Sequence, residues 1–242
     1  MRCIAAPEAA PFMNRWHEVW RERTATAAAA TLTDLIRLDG FDVGIGKVDE
    51  QAWNDYVAEL VRRLGMVAGD SVFEVGCGGG ALLFVLYQAG HPVGGIDYSP
   101  ALIEHARRTM PGMPFAVAEA SSYTGDARDF VVTNSVFSYF PDHDYAQVVF
   151  ARMLAMARKG VAILDVPDLE RRDAAEAARR AALPPGEYEA RYRGLEHRYY
   201  SREWFAALAA RYGWQIDVAE QWLAGYGNAP YRFNVMLTPQ SR

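Results

Sequence analysis

The stretch VFEVGCGGGA, residues 72–81, constrains this chain more than any other segment. An apolar run leads into glycines at Gly76, Gly78, Gly79 and Gly80, which predicts a buried strand feeding a tight turn into a helix. With no Cβ in the way, backbone N–H groups and a helix N-terminus can approach a ligand that side chains would push off. The ligand such a turn serves is nucleotide-like. Asp97 closes the strand-like run PVGGID and lies 21 positions beyond Gly76. In nucleotide-binding α/β folds an acid at about that distance, roughly 20 residues on, takes the ribose hydroxyls. Two ligand classes satisfy the turn, because GCGGGA also reads as the dinucleotide fingerprint G-x-G-x-x-G/A with Ala81 in the last place.

Glu74 stands two residues before the first glycine, in the pattern E-x-G-x-G-x-G. This resembles motif I of the class I S-adenosylmethionine-dependent methyltransferases of the small-molecule type, and GIDYSPALIEHAR resembles the segment that follows motif I. The resemblance continues through FAVAEASSY (115–123), DFVVTNSVFSYFPD (129–142), KGVAILDVPD (159–168) and the tail, in the family's order of elements. It implies an α/β fold: a Rossmann-like, doubly wound, seven-stranded and mostly parallel sheet with an antiparallel last strand, preceded by an N-terminal helical lid. It also implies S-adenosyl-L-methionine as cofactor and S-adenosyl-L-homocysteine as product. Carried over residue by residue, motif I falls on Glu74, Gly76, Cys77, Gly78 and Gly80. Asp97 takes the ribose hydroxyls and Tyr98 covers one face of the adenine. Glu119, with the backbone of Ala120, accepts from the adenine amino group, and backbone at Asn134 and Ser135 meets the methionine end.

The chain's 242 residues fit one large α/β domain, read as a lid over 1–48 and a core over 49–242 with a substrate-covering insert at about 168–200. Strands are expected at 70–75, 92–97, 114–118, 129–134 and 160–165, with helices over 80–89, 99–109 and 143–157 between them. That alternation predicts a parallel sheet covered on both faces. Residues 12–38, with their alanine-rich stretch, read as one or two helices, GFDVGIGKV (40–48) as a loop, and Asp49 as the start of another helix. The ending in a helix (cap Ser201, stop Gly213) and two strands argues against a dehydrogenase, which continues with further βαβ units and a substrate domain.

Net charge is −5 and the basic residues come only in short pairs such as Arg107-Arg108 and Arg179-Arg180, read as solvated helix faces. A nucleic-acid substrate is therefore not expected. No apolar stretch reaches the roughly 18 residues of a membrane helix, and the N-terminus is too weakly apolar for a secretory signal, so the default location is cytoplasmic. Cys3 is placed in a frayed end and Cys77 in the turn, leaving no disulfide framework. Asp165 and Asp168 lack a third partner, so no metal is expected.

Methyl transfer from a sulfonium calls for in-line positioning and exclusion of water, with at most one base. His197, inside the tyrosine-rich segment 187–200, is the first candidate base, since an imidazole near pKa 6.5 suits proton removal at neutral pH. His143 in PDHDY and Tyr139 at the end of the fourth strand are the other catalytic candidates. Ser138 stands where many small-molecule relatives place a histidine. His17, His91 and His105 read as solvated imidazoles. Tyr226, Asn228 and Arg232 read as routine polar residues of a half-exposed closing strand, with a reach into the substrate pocket as the alternative. The expected activity is O- or N-methylation of a small aromatic or amphipathic metabolite by a monomer or homodimer. A macromolecular methyltransferase and a catalytically silent S-adenosylmethionine-binding partner protein are the alternatives.

Overall fold

A computed structural model describes residues 15–23, 31–41 and 47–240. The expectations for Cys3, for the alanine-rich stretch 24–30 and for residues 42–46 of the loop lie outside the described residues. Two short helices come first, α1 (Arg15–Arg21) and α2 (Leu32–Leu38). Thr31 and Asp34 form a reciprocal capping box at the start of α2, each side chain taking the other's backbone N–H. Helix α3 (Glu50–Leu64) starts at Asp49, whose carboxylate accepts from Ala52 N at 2.8 Å, and stops at the left-handed Gly65. Its apolar stripe, Trp53, Tyr56, Val57, Leu60 and Leu64, is buried, as the three- and four-residue spacing requires.

The nucleotide-type core follows. Strand β1 (Val72–Val75) leads through the glycine turn into α4 (Ala81–Gln88); β2 (Val93–Asp97) leads into α5 (Pro100–Thr109); then come β3 (Phe115–Val117), β4 (Arg128–Asn134), α6 (His143–Met156) and β5 (Ala157–Pro167). Helices α7 (Arg172–Ala181) and α8 (Glu187–Tyr192) form the insert before α9 (Arg202–Tyr212), β6 (Trp214–Glu220) and β7 (Arg232–Pro239). Helix α8 has no clean apolar period and was not predicted. Ser201 caps α9 by accepting from Trp204 N at 3.1 Å, and Gly213 ends it at φ 70°.

The sheet runs β3-β2-β1-β4-β5-β7-β6. The neighbouring pairs from β3 to β5 are parallel, and β7 lies antiparallel between β5 and β6. Residues of β1, β2 and the middle of β4 are buried, which explains their unbroken apolar character: a parallel strand is covered on both faces and has no reason to alternate. One face packs on α2, α3, α4 and α5 around Trp53, Leu60 and Leu82; the other packs on α6 and α9 around Phe150, Phe205 and Phe233. Chain order reverses between β1 and β4, so the crevice beyond their carboxyl ends is where this architecture admits a ligand. The register of β5 against β7 breaks between Ile163 and Val166, where Asp165 takes φ 57°. Asn234, opposite, accepts the Asp165 N–H at 2.8 Å and so satisfies the donor that the break would orphan.

Candidate active site

At the carboxyl end of β1 the chain turns at Gly76, φ 73°, where a Cβ would come within 2.6 Å of Val136 Cγ2. The turn therefore lies directly against the segment that follows β4. Gly80 has another duty. Its absent Cβ faces Met110 Cε, 2.5 Å away, so it lets α4 close on α5 and takes no part in lining the cavity.

The N-terminus of α4 has an occupant that sequence reading missed. Asp39, at the C-terminal end of α2, accepts from Gly79 N at 2.5 Å and from Ala81 N at 2.8 Å. A carboxylate is well placed there, because the free N–H groups and the helix dipole both favour negative charge. Asp97, at the end of β2, accepts from Gly78 N at 3.0 Å and from Ser99 N at 2.9 Å, so it braces the turn and starts the next helix at once. Glu74 is buried in β1, with Oε2 lacking a hydrogen-bond partner among the described residues.

These three acids crowd one cavity, and each carboxyl is harder to ionise as a result. Burial lifts Asp39 to about 7 and Asp97 to about 6, with their bonded backbone N–H groups opposing the shift. Glu74 is pushed well above its usual range by burial and then by Asp39 and Asp97. The arrangement decides between the two ligand classes left open above. A pyrophosphate would find the N-terminus of α4 already taken by the Asp39 carboxyl, whereas S-adenosylmethionine brings a sulfonium and an ammonium toward the acids and hydroxyl donors to Asp97. The orphaned Glu74 oxygen and the bare glycine turn fit that cofactor.

The end of the cavity that the sequence assigns to adenine holds side chains of α1. The imidazole of His17 stacks on Tyr98 at 3.9 Å between ring centroids and 25° between planes, and its Nε2 lies 2.6 Å from Glu119 Oε1. Tyr145 donates its hydroxyl to the other Glu119 oxygen at 2.9 Å. The hydrogen bond to His17 is the main reason the Glu119 carboxyl lies below its ordinary range. An aromatic ring thus rests on the tyrosine and bonds the acid that the sequence assigns to adenine. The cavity left beside it measures about 100 Å³, less than the roughly 300 Å³ or more of pockets that enclose ligands of this size. His17 fills the end of the cavity that the sequence assigns to adenine.

A second cavity of about 230 Å³ adjoins the first and shares Trp16, Trp20, Asp39, Phe41, Ser135 and Tyr139 with it. His197 lines this second space, with its ring 4.9 Å from that of Trp16 and 5.8 Å from that of Tyr139. Burial, reinforced by the charges of Arg179 and Arg232, holds its pKa well below 6.5, so the ring is neutral at pH 7. Tyr226, Asn228 and Arg232 line the same space. They reach it from the turn before β7 and from the first residue of the strand, so the expectation of a plain half-exposed strand fails. Asn234 is buried in the sheet, as described above.

Residues 49–218 match the methyltransferase-domain family. The chain belongs to that family. Among curated relatives, the trans-aconitate 2-methyltransferase of Methylobacterium radiotolerans is 33% identical over 116 residues, 46% of this chain and 43% of that protein. The match thus spans less than half of the relative's length. Among solved structures, the magnesium protoporphyrin IX methyltransferase of Synechocystis with bound S-adenosylhomocysteine aligns with a TM-score of 0.61 at 18% identity, covering 94% of this chain and 95% of that one. An S-adenosylmethionine-dependent methyltransferase from Clostridium acetobutylicum aligns with a TM-score of 0.60 at 12% identity, covering 81% and 94%. These structural likenesses show the Rossmann-like methyltransferase fold. With family membership they bear out the class, the fold and the S-adenosylmethionine cofactor expected from motif I.

Within this methyltransferase fold, Glu74, Gly76, Cys77, Gly78, Asp97, Tyr98, Glu119, Ala120, Asn134 and Ser135 all line the first cavity. Tyr139 lines both cavities. His143 lines neither; it packs on Tyr200 and Trp204 at the start of α6. Ser138 is fully buried and donates to Ser135 O at 3.1 Å, shaping the turn after β4. None of His17, His91 and His105 is a solvated imidazole: His91 is buried against Asp70 O at 3.0 Å, and His105 is buried with neither nitrogen partnered among the described residues. No group of three potential metal ligands occurs among the described residues, and none of their helices is long and apolar enough to cross a membrane.

Proposed function

We propose that the protein methylates an oxygen or nitrogen of a small aromatic or amphipathic molecule. The observation that carries this reading is the pair of adjoining cavities, one walled by the glycine turn and three acids, the other by aromatic rings, meeting at Ser135 and Tyr139. When bound, S-adenosylmethionine supplies an electrophilic methyl on a sulfonium. Glu74, Asp97 and Glu119 would hold it. Asn134, whose Oδ1 accepts from Tyr56 OH at 3.0 Å, fixes the wall beneath its methionine end. The rings of Trp16, Trp20 and Tyr139 pack together over the junction, at 4.8 Å and 5.3 Å from Tyr139, and exclude water. Helices α1 and α2 serve as the lid and residues 168–200 as the substrate cover. Backbone bonds tie that cover down, from Arg198 N to Ser138 O at 2.8 Å and from Tyr200 N to Pro167 O at 2.9 Å. His197, neutral and enclosed, is the candidate base. The small-molecule acceptors named for the trans-aconitate and protoporphyrin enzymes support a small acceptor here.

The test has two arms. Calorimetry should show S-adenosylmethionine and S-adenosylhomocysteine binding, at least tenfold weaker in Glu74→Gln and Asp97→Ala. Labelled methyl should pass to members of a metabolite panel and not to bulk protein or nucleic acid. Binding without incorporation into any pool would leave the silent-partner reading in its place.

A further inference from the structure

The second cavity carries a charge pattern that an apolar acceptor does not explain. In a chain of net charge −5, its wall holds Arg23, Arg179, Arg191 and Arg232 against one acid, Asp39. Arg191, on the rim, is paired with Glu187 at 2.7 Å. Arg179 is different. Helix α7, RDAAEAARRA, buries only Ala175 and Arg179, one turn apart on one face, and leaves its other charged side chains toward solvent. Arg179 is 9% exposed, its Nε has no partner among the described residues, and the one bond it makes there is to the hydroxyl of Tyr199. No carboxylate pairs with it among the described residues. Arg232, 5% exposed at the start of β7, donates from Nη1 to Asp165 O at 3.2 Å. The Asp165 carboxylate, 4.0 Å away, already accepts from Gln221 at 3.0 Å and from Tyr226 at 3.1 Å.

Burying a guanidinium without a counter-ion is strongly unfavourable, and a helix face beside Ala175 would accept Leu at no such cost. Arginine's planar fork matches the two oxygens of a carboxylate or phosphate. We infer that Arg179 and Arg232 form an anion clamp, and that the acceptor is a small organic anion whose carboxylate or phosphate is held by the pair. Tyr199 positions Arg179; Tyr192 and Asn228, on the same wall, take the remainder of the molecule. This rests on the proposed function, of which it names the substrate class. The clamp binds the acceptor and turns it toward the junction at Tyr139; the transferred methyl and the atom that receives it are those of the reading above.

The experiment is calorimetry on full-length protein saturated with S-adenosylhomocysteine, titrated with phenylacetate, phenyl phosphate and the neutral phenylacetamide. At least one anion is expected to bind tenfold or more tightly than the amide, and which one binds separates carboxylate from phosphate. Arg179→Met and Arg232→Met are each expected to weaken that anion at least tenfold while S-adenosylhomocysteine affinity stays within twofold. Should Arg179→Met fail to fold, Arg179→Lys, which keeps the charge and loses the fork, is expected to weaken the anion at least threefold. Equal binding of anions and amide, no anion binding, or arginine variants that bind as wild type would overturn the clamp. Failure of S-adenosylhomocysteine to bind at all would instead overturn the cofactor reading on which it stands.

Discussion

The ligand-free protein is expected to lose stability as pH rises through neutrality, and Asp39 isolates the cause. In the folded state burial lifts this carboxyl from 3.8 to about 7, despite the two backbone N–H groups that it accepts from. In the unfolded chain it returns to about 3.8. Between those values the folded protein keeps a proton that the unfolded chain has released. The contribution is therefore complete below pH 4 and lost as pH rises through 7. From pH 5 to 7 spans about two decades, each worth about 1.4 kcal/mol, so the loss is at most about 3 kcal/mol, less whatever water in the cavity screens. His105, His143 and His197, whose pKa values are lowered, act with the opposite sign below pH 6.5. Their effect is common to wild type and to Asp39→Asn, so the difference between the two proteins removes it. Urea unfolding of both at pH 5, 6, 7 and 8 should show wild type losing up to about 3 kcal/mol relative to the variant, superimposed on a constant offset of about 1 kcal/mol for the altered cap. A difference that does not change with pH refutes the assignment of a proton-holding acid to the glycine turn.

Further expectations follow from the same geometry. Affinity for S-adenosylmethionine should increase from pH 5 to 8 as Asp97, at about 6, and Asp39 ionise for a cation, with a shallower rise for S-adenosylhomocysteine, which lacks the sulfonium. Gly76→Ala, which sets a Cβ 2.6 Å from Val136 at a positive φ, should cost about 1–2 kcal/mol in backbone strain alone and weaken S-adenosylhomocysteine at least tenfold by calorimetry. His17→Ala should tighten S-adenosylhomocysteine several-fold, because the stack on Tyr98 and the bond to Glu119 no longer have to break; weaker binding would show that His17 stays and contributes. His197→Ala should lower turnover at saturating cofactor with unchanged cofactor affinity, and wild-type turnover would remove it from the mechanism.

The parallel core was legible because β1, β2 and the middle of β4 are covered on both faces and therefore read as plain apolar runs, and because caps such as Asp49 and Ser201 act within four residues of themselves. The wall of the first cavity was legible for a related reason: Glu74, Gly76, Gly78, Asp97 and Glu119 each lie within three residues of a strand's carboxyl end. What stayed hidden depends on contacts far apart in the chain. Asp39 meets the glycine turn across 40 residues and His17 meets Glu119 across 102, and neither leaves a local pattern. Arg179 was concealed differently. Beside Arg180 it reads as one of a solvated pair, and only its place one turn from Ala175, on the small-residue face of α7, marks it as inward-facing. Helix α8 was missed because its tyrosines pair with one another and with arginines at the surface, as Tyr188 does with Tyr192 and Arg180, and so bury no stripe in the core.

Two neighbouring residues of α1 look in different directions. His17 bonds Glu119 in the first cavity, while Trp16 donates its indole N–H to Glu196 O at 3.1 Å and packs on His197 in the second. Because the two residues are adjacent in α1, cofactor binding beside His17 and acceptor entry past Trp16 are expected to be coupled, with the cofactor entering first. The expected kinetics are compulsory-order, cofactor before acceptor, with S-adenosylhomocysteine competitive against S-adenosylmethionine and noncompetitive against the acceptor. A random-order pattern would show that Trp16 and His17 move independently.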